Sequence, residues 1–186
     1  KVHSDSEITG QRTLLALTQF VVMFNSYNSK YDKYIRNESK NTFTSQEKNG
    51  LQIFRQHCAT CHTEPLFTNN QFENNGLKVD TTLNDYGRYF ITNNPKDSLK
   101  FKVPSLRNIQ FTKPYMHDGR FESLQEVINH YTSEVQPSQT LSKKLEKRIT
   151  LTHKEKIDLL VFLRTLSDDE FLFEKRFSFP FQQLIN

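Results

Sequence analysis

Both cysteines of the chain lie within one five-residue stretch, Cys58-Ala59-Thr60-Cys61-His62, spaced C-x-x-C with a histidine immediately after. Three chemistries use such a set. A zinc half-site needs two more thiols or a suitably spaced histidine pair. No third cysteine exists, and the remaining histidines (His3, His57, His117, His130, His153) form no H-x3–5-H pair. A redox dithiol prefers a strand-to-helix βαβ setting, and none is legible around residue 58. Covalent haem attachment needs only what is present: two thiols form thioethers to the haem vinyl groups, and the next histidine ligates iron from the proximal face. In that reading Cys58 and Cys61 are attachment points, His62 is the axial ligand and His57 is a bystander.

The opposite face of the iron must come from elsewhere. Residues 102–134 hold four plausible ligands, Met116, His117, His130 and Tyr131. A thioether sulfur favours Fe(II) and raises the reduction potential, which suits an electron carrier. A phenolate favours the ferric state and lowers it. Spacing alone leaves the choice open, with Met116 favoured by the precedent of His/Met cytochromes. Plainer roles compete, Met116 as core filler and Tyr131 as a packed helix residue.

The elements that must position these groups are mostly helical. The chain has 186 residues, enough for one domain with an extension; only 5 Gly and 6 Pro argue against a sandwich or barrel, and 16 Phe and 7 Tyr supply bulky core material. Leu14, Leu15, Leu17, Phe20, Val21 and Phe24 recur at helical spacing, predicting an amphipathic helix over about 9–25. The tyrosine-bearing stretch after it reads as a segment wrapping over a surface. Three helix starts carry a Ser or Thr followed three residues later by Glu: Thr44…Glu47, Ser123…Glu126 and Thr152…Glu155. The first of these helices runs directly into the cysteines. The last is predicted to bury Ile157, Leu160, Val161 and Leu163 or their near neighbours. Between Pro65 and Pro114 the chain is polar and weakly periodic, predicting long loops with at most a short helix or hairpin, a length that suits wrapping something. The end, FLFEKRFSFPFQQLIN, reads as an extended Phe-rich tail packed on the domain. The expected division is 1–43 as an inter-domain linker helix and wrapping segment, 44–170 as a cytochrome c-like haem domain, and 171–186 as the tail.

Charge and hydropathy exclude several classes. The formal charge is +4, with acids and bases interleaved, and the basic cluster Lys143, Lys144, Lys147, Arg148 lacks interleaved aromatics, so no nucleic-acid partner is expected. No apolar run approaches the ~18 residues of a membrane span. The start has neither an initiator Met nor a signal-peptide core, which reads as a mature or excised piece.

Three blocks in this order resemble the C-terminal haem domain of di-haem cytochrome c peroxidases and their MauG relatives: GLQIFRQHCATCH, KVPSLRNIQFTKPYMHDGRFESLQEVINHY and LTHKEKIDLLVFLRTLSD. ALTQFVVMFNSYNSKYDKY resembles the segment leading from their first haem domain into the second. In that family the sixth ligand lies on the helix after the PY-x-H-x-G turn, fourteen residues beyond its histidine; with His117 in that place, the ligand position is Tyr131. Peroxidases of the family place Met there and MauG-like members Tyr, so the resemblance moves the expectation from Met116 to Tyr131. His130, about 100° around the helix, cannot face the same iron. The resemblance also implies an inter-domain Ca²⁺ held partly by backbone carbonyls, here of Thr112 and Pro114, and offers Arg107 as partner of a haem propionate, with an ordinary surface or turn role as its other reading.

The family has a second C-x-x-C-H motif and an inter-haem Trp, neither of which is in this sequence. The expectation is therefore the C-terminal half of a periplasmic di-haem peroxidase of MauG-like kind, carrying one covalent haem c. It would relay electrons between a donor cytochrome, cupredoxin or protein substrate and a peroxide-reducing haem in a missing N-terminal domain, without activity of its own. The alternative is a stand-alone mono-haem electron-transfer cytochrome. Haem is attached outside the cytoplasm, which is the ground for a periplasmic location.

Overall fold

The structure, a computed structural model, describes residues 8–38, 40 and 42–177. It opens with α1 (Gly10–Val22), whose N-cap Thr9 accepts a hydrogen bond from the Arg12 amide at 3.2 Å. The helix expected over 9–25 is there, but none of its residues is buried. Leu14, Leu17, Phe20 and Val21 are each more than half exposed.

The chain then wraps back over the rest of the fold. Asp168 holds the wrap: its carboxylate accepts from the amides of Tyr27 and Asn28, both at 2.9 Å, and from the Ser26 hydroxyl at 3.2 Å. A short helix, α2 (Lys30–Ile35), follows from a capping box of Ser29 and Asp32. Asp does here what Glu does in the longer motif, so a search for Ser/Thr-x-x-Glu passes over it.

The three helices foreseen from their caps begin where expected. They are α3 (Ser45–His57), α5 (Leu124–Asn129) and α6 (His153–Arg164), and each has both arms of its capping box. Packing between elements is dominated by α3 against α6. Around that crossing lie the fully buried Phe54, Phe67, Phe162 and Leu166, with Tyr31 from α2 edge-on to Phe67 at 4.8 Å.

The buried face of α6 keeps Leu163 of the expected set and otherwise uses near neighbours of the expected residues. Asp158, Leu159, Phe162 and Leu163 are buried, whereas Ile157 is 38% exposed. The run IDLLVFL is apolar on more than one face, so periodicity leaves the choice to packing. Phe162, completely buried, takes the position facing α3. That places Asp158 inside, where the side-chain amides of Gln46 and Asn49 approach its carboxylate at 3.3 and 3.4 Å.

Between Pro65 and Pro114 the structure has little regular secondary structure, as expected. Strand β1 (Phe72–Glu73) pairs antiparallel with β2 (Phe101–Lys102), and between them lie a helical turn, α4 (Tyr89–Thr92), and a 3-10 turn, Pro95–Asp97. Asn and Asp side chains hold these loops, each accepting from the amide two residues on. Asn69, Asn74, Asp80, Asp85 and Asn94 all do so at 2.8–3.0 Å. The tail begins with a helical turn, α7 (Asp169–Leu172), rather than extended chain, because Asp168 caps the Phe171 amide at 3.1 Å. The Phe-rich remainder, like His3, lies outside the described residues. No described helix is long and apolar enough to cross a membrane.

Candidate haem site

The C-x-x-C-H stretch is a turn at the C-terminus of α3. Phe54 O accepts the amides of Cys58 at 2.7 Å and Ala59 at 3.0 Å, and Cys58 O accepts those of Cys61 at 3.1 Å and His62 at 2.9 Å. This winding presents both thiols and the imidazole from one tight loop. Both cysteines are free thiols. Burial pushes the Cys58 thiol up to about 12, with the charge of Cys61 adding to the rise, and burial likewise raises Cys61.

The His62 Nδ1 lies 3.1 Å from the carbonyl oxygen of Phe67 and 3.1 Å from that of Pro104. Carbonyls only accept, so Nδ1 carries the proton and the Nε2 lone pair is left for a ligand. Burial also pushes the imidazole below its ordinary pKa, against the pull of the two carbonyls, which favours the neutral ring a metal requires. Phe67 reaches this position in a left-handed conformation, φ 55°, with its ring completely buried.

Tyr131 lies where the thiol charges are felt. Burial pushes its phenol up to about 12; a hydrogen bond from the Asn75 side chain works downward, while Cys58 and Cys61 add to the rise. It stands in a π-helical turn, His130–Glu134, that continues α5. The Thr132 hydroxyl donates to the carbonyls of Ile128 at 3.0 Å and Asn129 at 3.2 Å, and the Ser133 hydroxyl to Asn129 O at 2.7 Å. His130 points elsewhere: it is buried, and its Nε2 meets the Asn75 carbonyl at 3.0 Å. Met116, in a left-handed conformation with φ 72°, places its sulfur 3.5 Å from Asn75 Nδ2. His117 stacks on Phe101, ring centroids 3.7 Å apart.

Arg107 lies at the junction of the wrapping segment with the loop at Pro65. Its guanidinium grips Asp32 through two bonds of 2.8 and 2.9 Å and donates to Pro65 O, joining the wrapping segment to the haem-side loops. Thr112 and Pro114 flank a cis Lys113–Pro114 bond in the turn between Phe111 and Tyr115. Of the basic cluster, Lys144 pairs with Glu73 at 2.7 Å and Arg148 donates to Thr132 O at 2.9 Å. Among the described residues, no group of three or more His, Cys, Asp or Glu side chains is arranged to hold a metal ion, so the thiols lack the partners a closed zinc site needs.

Asn75 is the residue that pattern reading passed over. It touches both His130 and Met116, yet it sits in the polar run TNNQFENNG, where asparagine reads as turn chemistry.

No family model matches the chain. Cytochrome-c peroxidase IdrP1 of Pseudomonas sp. (strain SCT) is 33% identical over 186 residues, covering 84% of this chain and 48% of that protein. Methylamine utilization protein MauG of Methylophilus methylotrophus is 31% identical over 168 residues, covering 87% of this chain and 48% of its own. The crystal structure of a MauG-like protein associated with microbial copper homeostasis superposes with a TM-score of 0.85 at 32% identity, over 95% of this chain and 59% of that one. The chain belongs to the di-haem cytochrome c peroxidase/MauG family.

The diheme peroxidase BthA from Burkholderia thailandensis E264 shares the fold, with a TM-score of 0.64 at 22% identity over 78% of the chain. The chain spans about half the length of the curated relatives it matches. Membership brings haem with it, and the residues at this site fit one: two reduced thiols on one turn, a neutral imidazole with Nε2 unengaged, and a half-buried phenol on which the thiol charges act. A stand-alone electron carrier is not favoured beside relatives named as peroxidases and MauG.

Proposed function

We propose that this chain is the C-terminal haem domain of a periplasmic MauG-like di-haem peroxidase, relaying electrons to a peroxide-reducing haem in a separate N-terminal domain. The observation that supports this reading is His62, fixed through Nδ1 by two carbonyls on the same turn as the two free thiols, with a half-buried Tyr131 close enough for the thiol charges to act on it. Bound there, a haem c supplies one-electron redox chemistry. Cys58 and Cys61 would anchor it through thioethers, and His62 Nε2 and Tyr131 would ligate its iron, with Met116 as the competing ligand. With two protein ligands engaged, the residues of this half would serve electron transfer and not cleavage of the O–O bond.

The exposed apolar face of α1 supports the two-domain reading, because Leu14, Leu17, Phe20 and Val21 together make a surface that a partner must cover. The missing haem domain is that partner in this proposal. A Ca²⁺ at the junction would draw on the carbonyls of Thr112 and Pro114, oxygen donors suited to a hard cation. An external cytochrome, cupredoxin or protein substrate completes the path.

The test is the mass of the full chain matured in a haem c-competent periplasm, followed by EPR of Tyr131→Phe and Met116→Ala variants. One haem mass added, and a ligand change only in Tyr131→Phe, is the expected result. A bare polypeptide mass refutes haem attachment, and a change confined to Met116→Ala refutes the MauG-like assignment.

A further inference from the structure

His62 Nδ1 stands between carbonyls of two different loops, Phe67 O and Pro104 O, each 3.1 Å away. No regular ladder joins those loops at this point. β1 and β2 pair only at Phe72–Lys102 and Glu73–Phe101, and the Val103 amide adds one bond to Gln71 O at 2.8 Å. Pro104 has no N–H with which to carry the pairing further. Two hydroxyls take over there. Thr68 Oγ1 donates across to Val103 O at 2.6 Å, and Ser105 Oγ donates back to Leu66 O at 2.7 Å. Leu66 and Thr68 flank Phe67, while Val103 and Ser105 flank Pro104, so the crossed bonds bracket the carbonyl pair. Each hydroxyl also accepts the amide two residues on in its own loop, Asn70 N at 3.0 Å and Arg107 N at 3.2 Å. Both are thus oriented from two sides.

We infer that Thr68 and Ser105 are positioning residues for His62, holding Phe67 O and Pro104 O at one separation so that a single Nδ1–H is shared between them. This rests on the reading of His62 as axial ligand, and extends it to two side chains that make no hydrogen bond to the imidazole. A carbonyl that accepts from Nδ1–H fixes the tautomer and the ring plane and makes Nε2 a stronger donor to metal. Two carbonyls do so together only while neither turns away to water. Leu66 and Ser105 are exposed, so the hydroxyl bonds are what keep these loops in register.

Thr68→Val and Ser105→Ala each remove one of the crossed bonds, the second at an exposed position where folding is not at stake. In the haem-loaded full chain, each is expected to raise the reduction potential, as a weaker histidine donor does. The EPR signal should spread or gain a second set of g values, because the imidazole plane is no longer fixed. The double variant should shift further than either, and Thr68→Ser and Ser105→Thr, which keep the hydroxyl, should restore the wild-type values. Potential and g values unchanged in the single variants and the double, with only the melting temperature lowered, overturn the inference. Equal shifts in Thr68→Val and Thr68→Ser overturn it too, since the hydroxyl is then not what acts. A haem-loaded wild-type chain without hyperfine-shifted ring protons from His62 removes the reading of His62 as ligand, and the inference falls with it.

Discussion

A Cβ built on Gly50 lies 2.0 Å from the carbonyl oxygen of Asp158 and 2.6 Å from the Cβ of Phe162. The crossing of α3 and α6 is closed to the point that only glycine fits, and α3 carries the C-x-x-C-H turn at its far end. Gly50→Ala must therefore force the helices apart, because the obstructing atom is backbone and cannot rotate away. Overpacking of this kind costs about 3 kcal/mol, read as a lower urea midpoint. Gly10→Ala, with nothing within 4 Å of the added Cβ, is the control and should cost nothing. Equal midpoints for the two variants would mean the crossing is not tight.

The Asp32–Arg107 pair predicts an acid limb in stability. Burial works to raise the Asp32 carboxyl, but hydrogen bonds from Arg107 and Ser29 outweigh it and hold the pKa below the ordinary value. A depressed folded-state pKa contributes stability that is complete above the unfolded value of about 3.9 and is lost as pH falls through the folded one. Asp32→Asn should flatten the fall in stability below about pH 4, and matched slopes in both proteins would contradict this. Arg107→Leu leaves a half of the pair unpaired at low exposure and should cost about 3–5 kcal/mol. The haem spectrum should stay as it is, since the guanidinium serves Asp32.

Much of this was readable in the residues because the signals are local. C-x-x-C-H and the three capping boxes each depend on atoms a few positions apart, and all four appear where their spacing puts them. Signals that depend on the partner surface were not readable. The buried face of α6 is set by what α3 offers opposite Phe162, and the bond of Arg107 to Asp32 spans 75 positions. Asn75 is hidden for the same reason. Its contacts are with Met116 and His130, more than forty positions away, while its neighbours advertise only a turn.

Asp168 ties the wrapping segment to the end of α6 by accepting from three groups of residues 26–28. Asp168→Ala removes that acceptor together with the cap on Phe171 and leaves three amides unmet. Limited proteolysis between residues 24 and 29 should accelerate well before the core opens. If cleavage there keeps the wild-type rate, the wrap is held by something other than this carboxylate.

The π turn that carries Tyr131 is held by hydroxyls. Helical N–H groups in a π turn reach back five residues instead of four, a rare geometry that needs outside support. Thr132 supplies it by donating to both Ile128 O and Asn129 O from a buried position, whereas the more exposed Ser133 donates to Asn129 O alone. Thr132→Val keeps the shape and deletes the hydroxyl, so it should cost about 1–2 kcal/mol. Ser133→Ala should cost less, because water can replace an exposed donor. Tyr131 adjoins Thr132 on the same turn, so relaxation toward α-helical spacing rotates the phenol relative to the thiols. In the haem-loaded chain, Thr132→Val should therefore broaden or split the EPR signal, and Ser133→Ala should leave it single. A single unshifted signal in Thr132→Val, with stability lowered as expected, would show that the turn is a packing feature with no part in aiming Tyr131.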